Sequence, residues 1–118
     1  MEFSRLEKGI LKWFLENAVD ARLREQLSQV SLKSREYTGV GFFVGLTVTS
    51  DAPKIAKERE DINALPGPYI ESAALKAGAD TALFIKDGVA ATLEIFAYGD
   101  SFPEVLDEYV LISLDRKM

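Results

Sequence analysis

The densest run of chemically capable side chains is Glu94, Tyr98, Asp100, Ser101, Glu104, Asp107 and Glu108. Carboxylates at that density could do acid–base work or hold a divalent cation. Each member also has a plainer account. Ser101 and Glu104, three apart, read as a capping box, Gly99-Asp100 as a turn, and Asp107 and Glu108 as solvated charge. The spacing from Asp100 to Glu104 misses the twelve-residue calcium loop. Glycines 39, 41 and 45 form no phosphate cradle, because no Lys-Ser/Thr pair ends the run and no GxGxxG precedes a helix. Lys54, Lys57, Arg59 and Glu60 could belong to a lid, but mixed charges of this kind more often make a solvated face.

Composition narrows the chemistry further. The 118 residues contain neither Cys nor His, which excludes disulfides, thiolate nucleophiles, Cys/His zinc sites and Ser-His or Cys-His catalytic pairs. A net charge of −5 with scattered Lys and Arg argues against nucleic acid as a ligand. No cofactor or metal is called for. Val40–Val48 is broken by Gly41, Gly45 and Thr47, and nothing approaches the ~20 apolar residues of a membrane span. The opening residues lack a signal-peptide pattern, so the expectation is one cytoplasmic domain, 1–118.

Several elements must position these residues. Ser4 and Glu7 form a capping box, and Leu6, Ile10, Trp13 and Phe14 follow at helical spacing, which predicts a helix over 5–16. Asp20 caps a second helix carrying Val19, Leu23, Leu27 and Val30. The period then changes to two: Phe42, Val44, Leu46 and Val48 alternate with Phe43, Gly45, Thr47 and Thr49, with 31–38 as a polar edge partner. Gly45 in mid-strand marks a bulge or a close neighbour such as Trp13. A long connection covers 51–68, and a short strand is expected over 69–75. Asp87-Gly88 between apolar runs is the strongest hairpin signal, joining 81–86 to 89–98. After the capping box at Ser101, a helical turn should precede a last strand over 109–114.

Together these elements predict an α+β fold, with two N-terminal helices packed on a mainly antiparallel sheet of five or six strands. The expected core is Leu6, Ile10, Trp13, Phe14, Leu23, Leu27, Phe42, Val44, Leu46, Phe84, Leu93 and Ile95. A regular two-residue loop would set Phe84 opposite Ala91 and Ala82 opposite Leu93 on the core side. The other side would then show Leu83, Ile85, Ala90, Thr92, Glu94, Phe96 and Tyr98.

That second face is too apolar for free water and calls for cover by the long connection, a second copy of the chain, or a partner. The leading expectation is a non-enzymatic protein-binding domain, with Phe96 and Tyr98 as anchors and Glu94, Asp100 and Glu104 as an acidic rim suited to a basic partner. One alternative is a ligand-binding protein or carboxylate enzyme with a pocket under the 51–68 connection and Glu94 or Glu71 as base. A structural homodimer is another.

Thr81-Ala-Leu-Phe-Ile-Lys-Asp-Gly88 and Leu93-Glu-Ile-Phe-Ala-Tyr-Gly-Asp100, closing on Phe102-Pro103-Glu104, resemble the C-terminal hairpin of small bacterial α+β proteins. Some of those proteins resemble immunity proteins of polymorphic toxin systems. The resemblance covers the last third of the chain and implies a cytoplasmic, non-catalytic protein that binds and blocks a toxin.

Overall fold

Two helices come first. A computed structural model of the protein describes residues 2–55, 63–99 and 101–113. Helix α1, Arg5–Asn17, begins as its sequence dictates: the Ser4 hydroxyl accepts from Glu7 N, and the Glu7 carboxylate accepts from Ser4 N. Helix α2, Ala21–Ser28, starts at Asp20, whose carboxylate accepts from Arg22 N. Leu23 and Leu27 are buried on α2, whereas Val19 lies before the helix and is exposed.

Among the described residues seven strands follow: β1 Ser31–Tyr37, β2 Gly41–Thr47, β3 Ala64–Pro66, β4 Tyr69–Glu71, β5 Ala79–Lys86, β6 Val89–Ala97 and β7 Val110–Ile112. They form one sheet in the order β1-β2-β6-β5-β4-β7, with β3 beside β5, and every pairing is antiparallel. The protein is therefore α+β, as the segregation of helices from strands predicts. The strand count exceeds expectation because β3 lies within residues read as connection. It is joined to β4 by Gly67-Pro68, where Gly67 N donates to Thr81 O and the Thr81 hydroxyl donates to Pro68 O. Only glycine fits at 67: an added Cβ would stand 2.2 Å from Thr81 Oγ1 and 2.6 Å from Phe14 Cζ.

The core lies between the helices and one sheet face, where Leu6, Ile10, Phe14, Leu23, Val44, Leu83, Leu93 and Ile95 form a single buried cluster. Trp13 and Phe42 pack against it only partly buried. Phe84 is a correction. The Asp87-Gly88 turn forms with both residues at positive φ, 53° and 77°, as the two-residue hairpin requires. Beyond the pairs Lys86 with Val89 and Ile85 with Ala90, however, the register slips, and Phe84 faces Thr92 rather than Ala91. This bulge turns Leu83, opposite Leu93, into the core and Phe84 out of it.

Gln26 on α2 explains why the bulge sits there. Its side chain is fully buried, accepts from Ala90 N at 2.9 Å, and donates to Pro53 O at 2.8 Å and Gly88 O at 2.9 Å. Gly88 O also accepts from Ile55 N, so one amide ties α2, the start of the long connection and the hairpin turn together.

Three further expectations change. Gly45 has Ser34, not Trp13, as its close neighbour, opposite a register shift in β1 between Leu32 and Ser34. The 69–75 strand stops at Glu71, and Ser72–Leu75 turns through a Leu75 N to Ser72 O bond. Residues 101–109 form no helical turn despite the Ser101/Glu104 pattern. Phe102 is buried against Phe42, with ring centroids 5.5 Å apart, and its N–H donates to Gly39 O. Those contacts fix the start of the segment against β2 and the β1–β2 turn.

Candidate functional site

Alternation along each strand gives the sheet a second face, away from the helices, and the observed register orders its side chains into rows. One row runs Ser34, Gly45, Thr92, Phe84 and Ala64 across β1, β2, β6, β5 and β3. The next runs Glu36, Phe43, Glu94, Ala82 and Pro66, and a third runs Gly41, Phe96 and Asp80. Neighbours within a row stand about 5 Å apart.

Aromatic and acidic groups therefore alternate on this face. Phe43 is 39% exposed and Tyr98 44%, while Phe84, Phe96 and Glu94 are half-buried. The Phe96 and Tyr98 rings meet edge-to-face at 5.4 Å, and the Tyr98 hydroxyl donates to Asp80 Oδ2 at 2.6 Å. That bond fixes the Tyr98 ring, which leaves an amphipathic aromatic side chain held rigid at the surface.

Of the residues singled out from sequence, Phe96, Tyr98 and Glu94 come together here. Asp100 lies outside the described residues. Glu104 does not join them: it lines a cleft of about 300 Å³ on the helix side, floored by Leu6, Phe42, Ile95 and Phe102. The helical turn expected after Ser101 does not form. Sequence reasoning missed Glu36, Phe43, Phe84 and Asp80 as members of the face. The alternation of 42–48 already separates Phe43 from Phe42, whereas Phe84 depends on a bulge that no local pattern reveals.

The helix-side cleft holds the Arg35–Glu7 ion pair. Arg35 donates from Nε to Glu7 Oε2 at 2.7 Å and from its terminal nitrogen to Glu7 Oε1 at 2.6 Å, and also reaches Glu2 O. Glu7 is almost fully buried. Its hydrogen bond raises the Arg35 pKa, opposed by partial desolvation and reinforced by the opposite charge. Both Glu7 oxygens are committed to Arg35 and the helix cap, so the pair is built as a strut between α1 and β1.

Glu71, the other carboxylate considered as a base, is exposed on β4 and borders an open depression with Ser72, Lys76 and Tyr109. It shares no row with Glu94. Among the described residues, no group of three or more carboxylates is placed to hold a metal ion, and no helix is long and apolar enough to cross a membrane.

No family model, curated protein or solved structure matches the chain.

Proposed function

We propose that the protein is a non-enzymatic binding module that docks a basic protein partner on the face of its sheet opposite the helices. The observation that carries this reading is the combination on one rigid surface of Phe43, Phe84, Phe96 and Tyr98 with Glu36, Glu94 and Asp80. Aromatic anchors that keep few rotamers and a surround of one charge sign are what a specific interface uses for affinity and orientation. The strands beneath are paired on both sides across β2, β6 and β5, so little order must be gained on binding. The C-terminal hairpin's resemblance to small bacterial α+β proteins, some of which resemble immunity proteins, agrees with the same class and would make the basic partner a toxin domain.

The test is native mass spectrometry of the protein isolated gently from its own cells, as wild type and as Phe96→Asp. The expected wild-type result is a stoichiometric complex with a basic protein. The expected variant result is loss of that partner with an unchanged circular dichroism spectrum. A bare dimer would make the face a self-assembly surface, and a retained small molecule would favour a pocket; either result overturns the proposal.

A further inference from the structure

We infer that the row Glu36, Phe43 and Glu94 is a seat for an arginine side chain of the partner. This inference rests on the docking role proposed for the face and names the chemistry it recognises. The three residues are direct cross-strand neighbours on β1, β2 and β6, with Phe43 paired to Glu36 on one side and to Glu94 on the other. At about 5 Å per strand, two carboxylates flank one ring about 10 Å apart. The Phe43 ring is 39% exposed, so its electron-rich surface is accessible from solvent.

Glu94 is the centre of the seat. It is half-buried, with Phe96 two residues along the same strand, Ala82 beside it and Phe84 on the diagonal. Among the described residues its carboxylate has neither a hydrogen-bond nor an ion-pair partner, and the same holds for the Glu36 carboxylate. Lys86, at the hairpin end of the face, stands beyond the Phe84–Thr92 row. A carboxylate set among aromatic neighbours and, among the described residues, without a cation offers an incoming cation both a charge partner and a ring face. Guanidinium fits better than ammonium. Its plane stacks on the ring while its edge donates two hydrogen bonds to a carboxylate, and it is less strongly hydrated. Carboxylates on both sides of the ring accept that edge from either direction.

The experiment is isothermal titration of the full chain with a hexa-arginine peptide and with hexa-lysine, at low salt and at about 0.15 M salt. The variants are Glu94→Gln and Phe43→Leu, with Glu25→Gln, exposed on α2, as the control for general acidity. Thermal midpoints of all variants confirm that each is folded. We expect hexa-arginine to bind the wild type more tightly than hexa-lysine. Glu94→Gln and Phe43→Leu should each weaken it by about fivefold, the size of one cation–π or charge contact, and Glu25→Gln by less than about twofold. Absence of binding, equal loss in Glu25→Gln, or no loss in Phe43→Leu overturns the inference. Failure here is distinct from failure of the docking role: if Phe96→Asp releases the cellular partner while Glu94→Gln and Phe43→Leu retain it, the face docks a partner without an arginine seat. If Phe96→Asp retains the partner, the docking role itself is lost.

Discussion

Replacing Gln26 with Leu removes a side chain that joins α2, the start of the long connection and the β5–β6 turn. The amide is fully buried and makes three hydrogen bonds of 2.8–2.9 Å. Leucine has a similar size but no polar atoms, so Ala90 N–H and Pro53 O lose their partners, whereas Gly88 O keeps Ile55 N. Two orphaned groups, Ala90 N–H buried and Pro53 O part-buried, cost about 1–3 kcal/mol each, and the added apolar burial returns about 1 kcal/mol, for a net loss of about 3 kcal/mol. With an unfolding entropy of about 2.1 cal/mol/K per residue, a chain of 118 residues should lose about 12 °C in Tm.

Urea titration gives the free energy, and amide exchange gives the location. The Ala90 amide should exchange much faster in Gln26→Leu, while Val44 and Leu93, deep in the sheet, change only as far as global stability changes. Gln26→Glu sharpens the test. At neutral pH it sets a carboxylate against the Pro53 and Gly88 carbonyls and should be worse than Leu, and protonation should narrow the gap as pH falls. A loss below about 1 kcal/mol for Gln26→Leu, or unaltered exchange at Ala90, would refute the claim that this amide holds the bulge.

Other substitutions probe the remaining parts of the argument. Arg35→Met strands the Glu7 carboxylate in the core and should cost about 2–3 kcal/mol in urea, less than the ~3–5 kcal/mol of a fully buried pair because 26% of the Arg35 side chain reaches water. The Arg35 pKa is raised, so its contribution is complete below the unfolded value and lost only above it; the deficit should stay constant from about pH 6 to about pH 9. Leu83→Ser should destabilise by at least ~3 kcal/mol and Phe84→Ser by less than ~1.5 kcal/mol, whereas a hairpin without the bulge would reverse that order. Gly67→Ala should cost about 2–3 kcal/mol by pushing the new methyl into Phe14 and Thr81, measured as a fall in Tm.

Two pairs of identical signals show why some of the fold is legible from sequence and some is not. Ser4/Glu7 and Ser101/Glu104 are the same four-residue pattern, yet only the first caps a helix. After Ser4 come Leu6, Ile10, Leu11 and Phe14, a stripe that repays helix formation by burying its face. Among the described residues after Ser101 the one deeply buried apolar side chain is Phe102, and no stripe of buried apolar residues follows it at helical spacing. A capping box is a boundary mark, and it means little without periodic apolar residues beyond it.

The hairpin carries the same lesson to the candidate site. Asp87-Gly88 specifies the turn locally, and the turn forms. The face each later residue takes depends on whether pairing stays regular, and that is decided by Gln26, 64 residues before Ala90 in the chain. Because the side-chain period of a strand is two, one extra residue exchanges Phe84 for Leu83 on the core side. Glu94 and Phe96 keep the face that sequence alternation assigned them, because the expected hairpin already set Leu93 opposite them in the core. What the bulge adds is a third phenylalanine, on the diagonal from Glu94. The apolar surround of that carboxylate is thus made by a buried amide on the far side of the sheet. Gln26→Leu should therefore weaken binding at the open face as well as lower stability, although Gln26 touches nothing there.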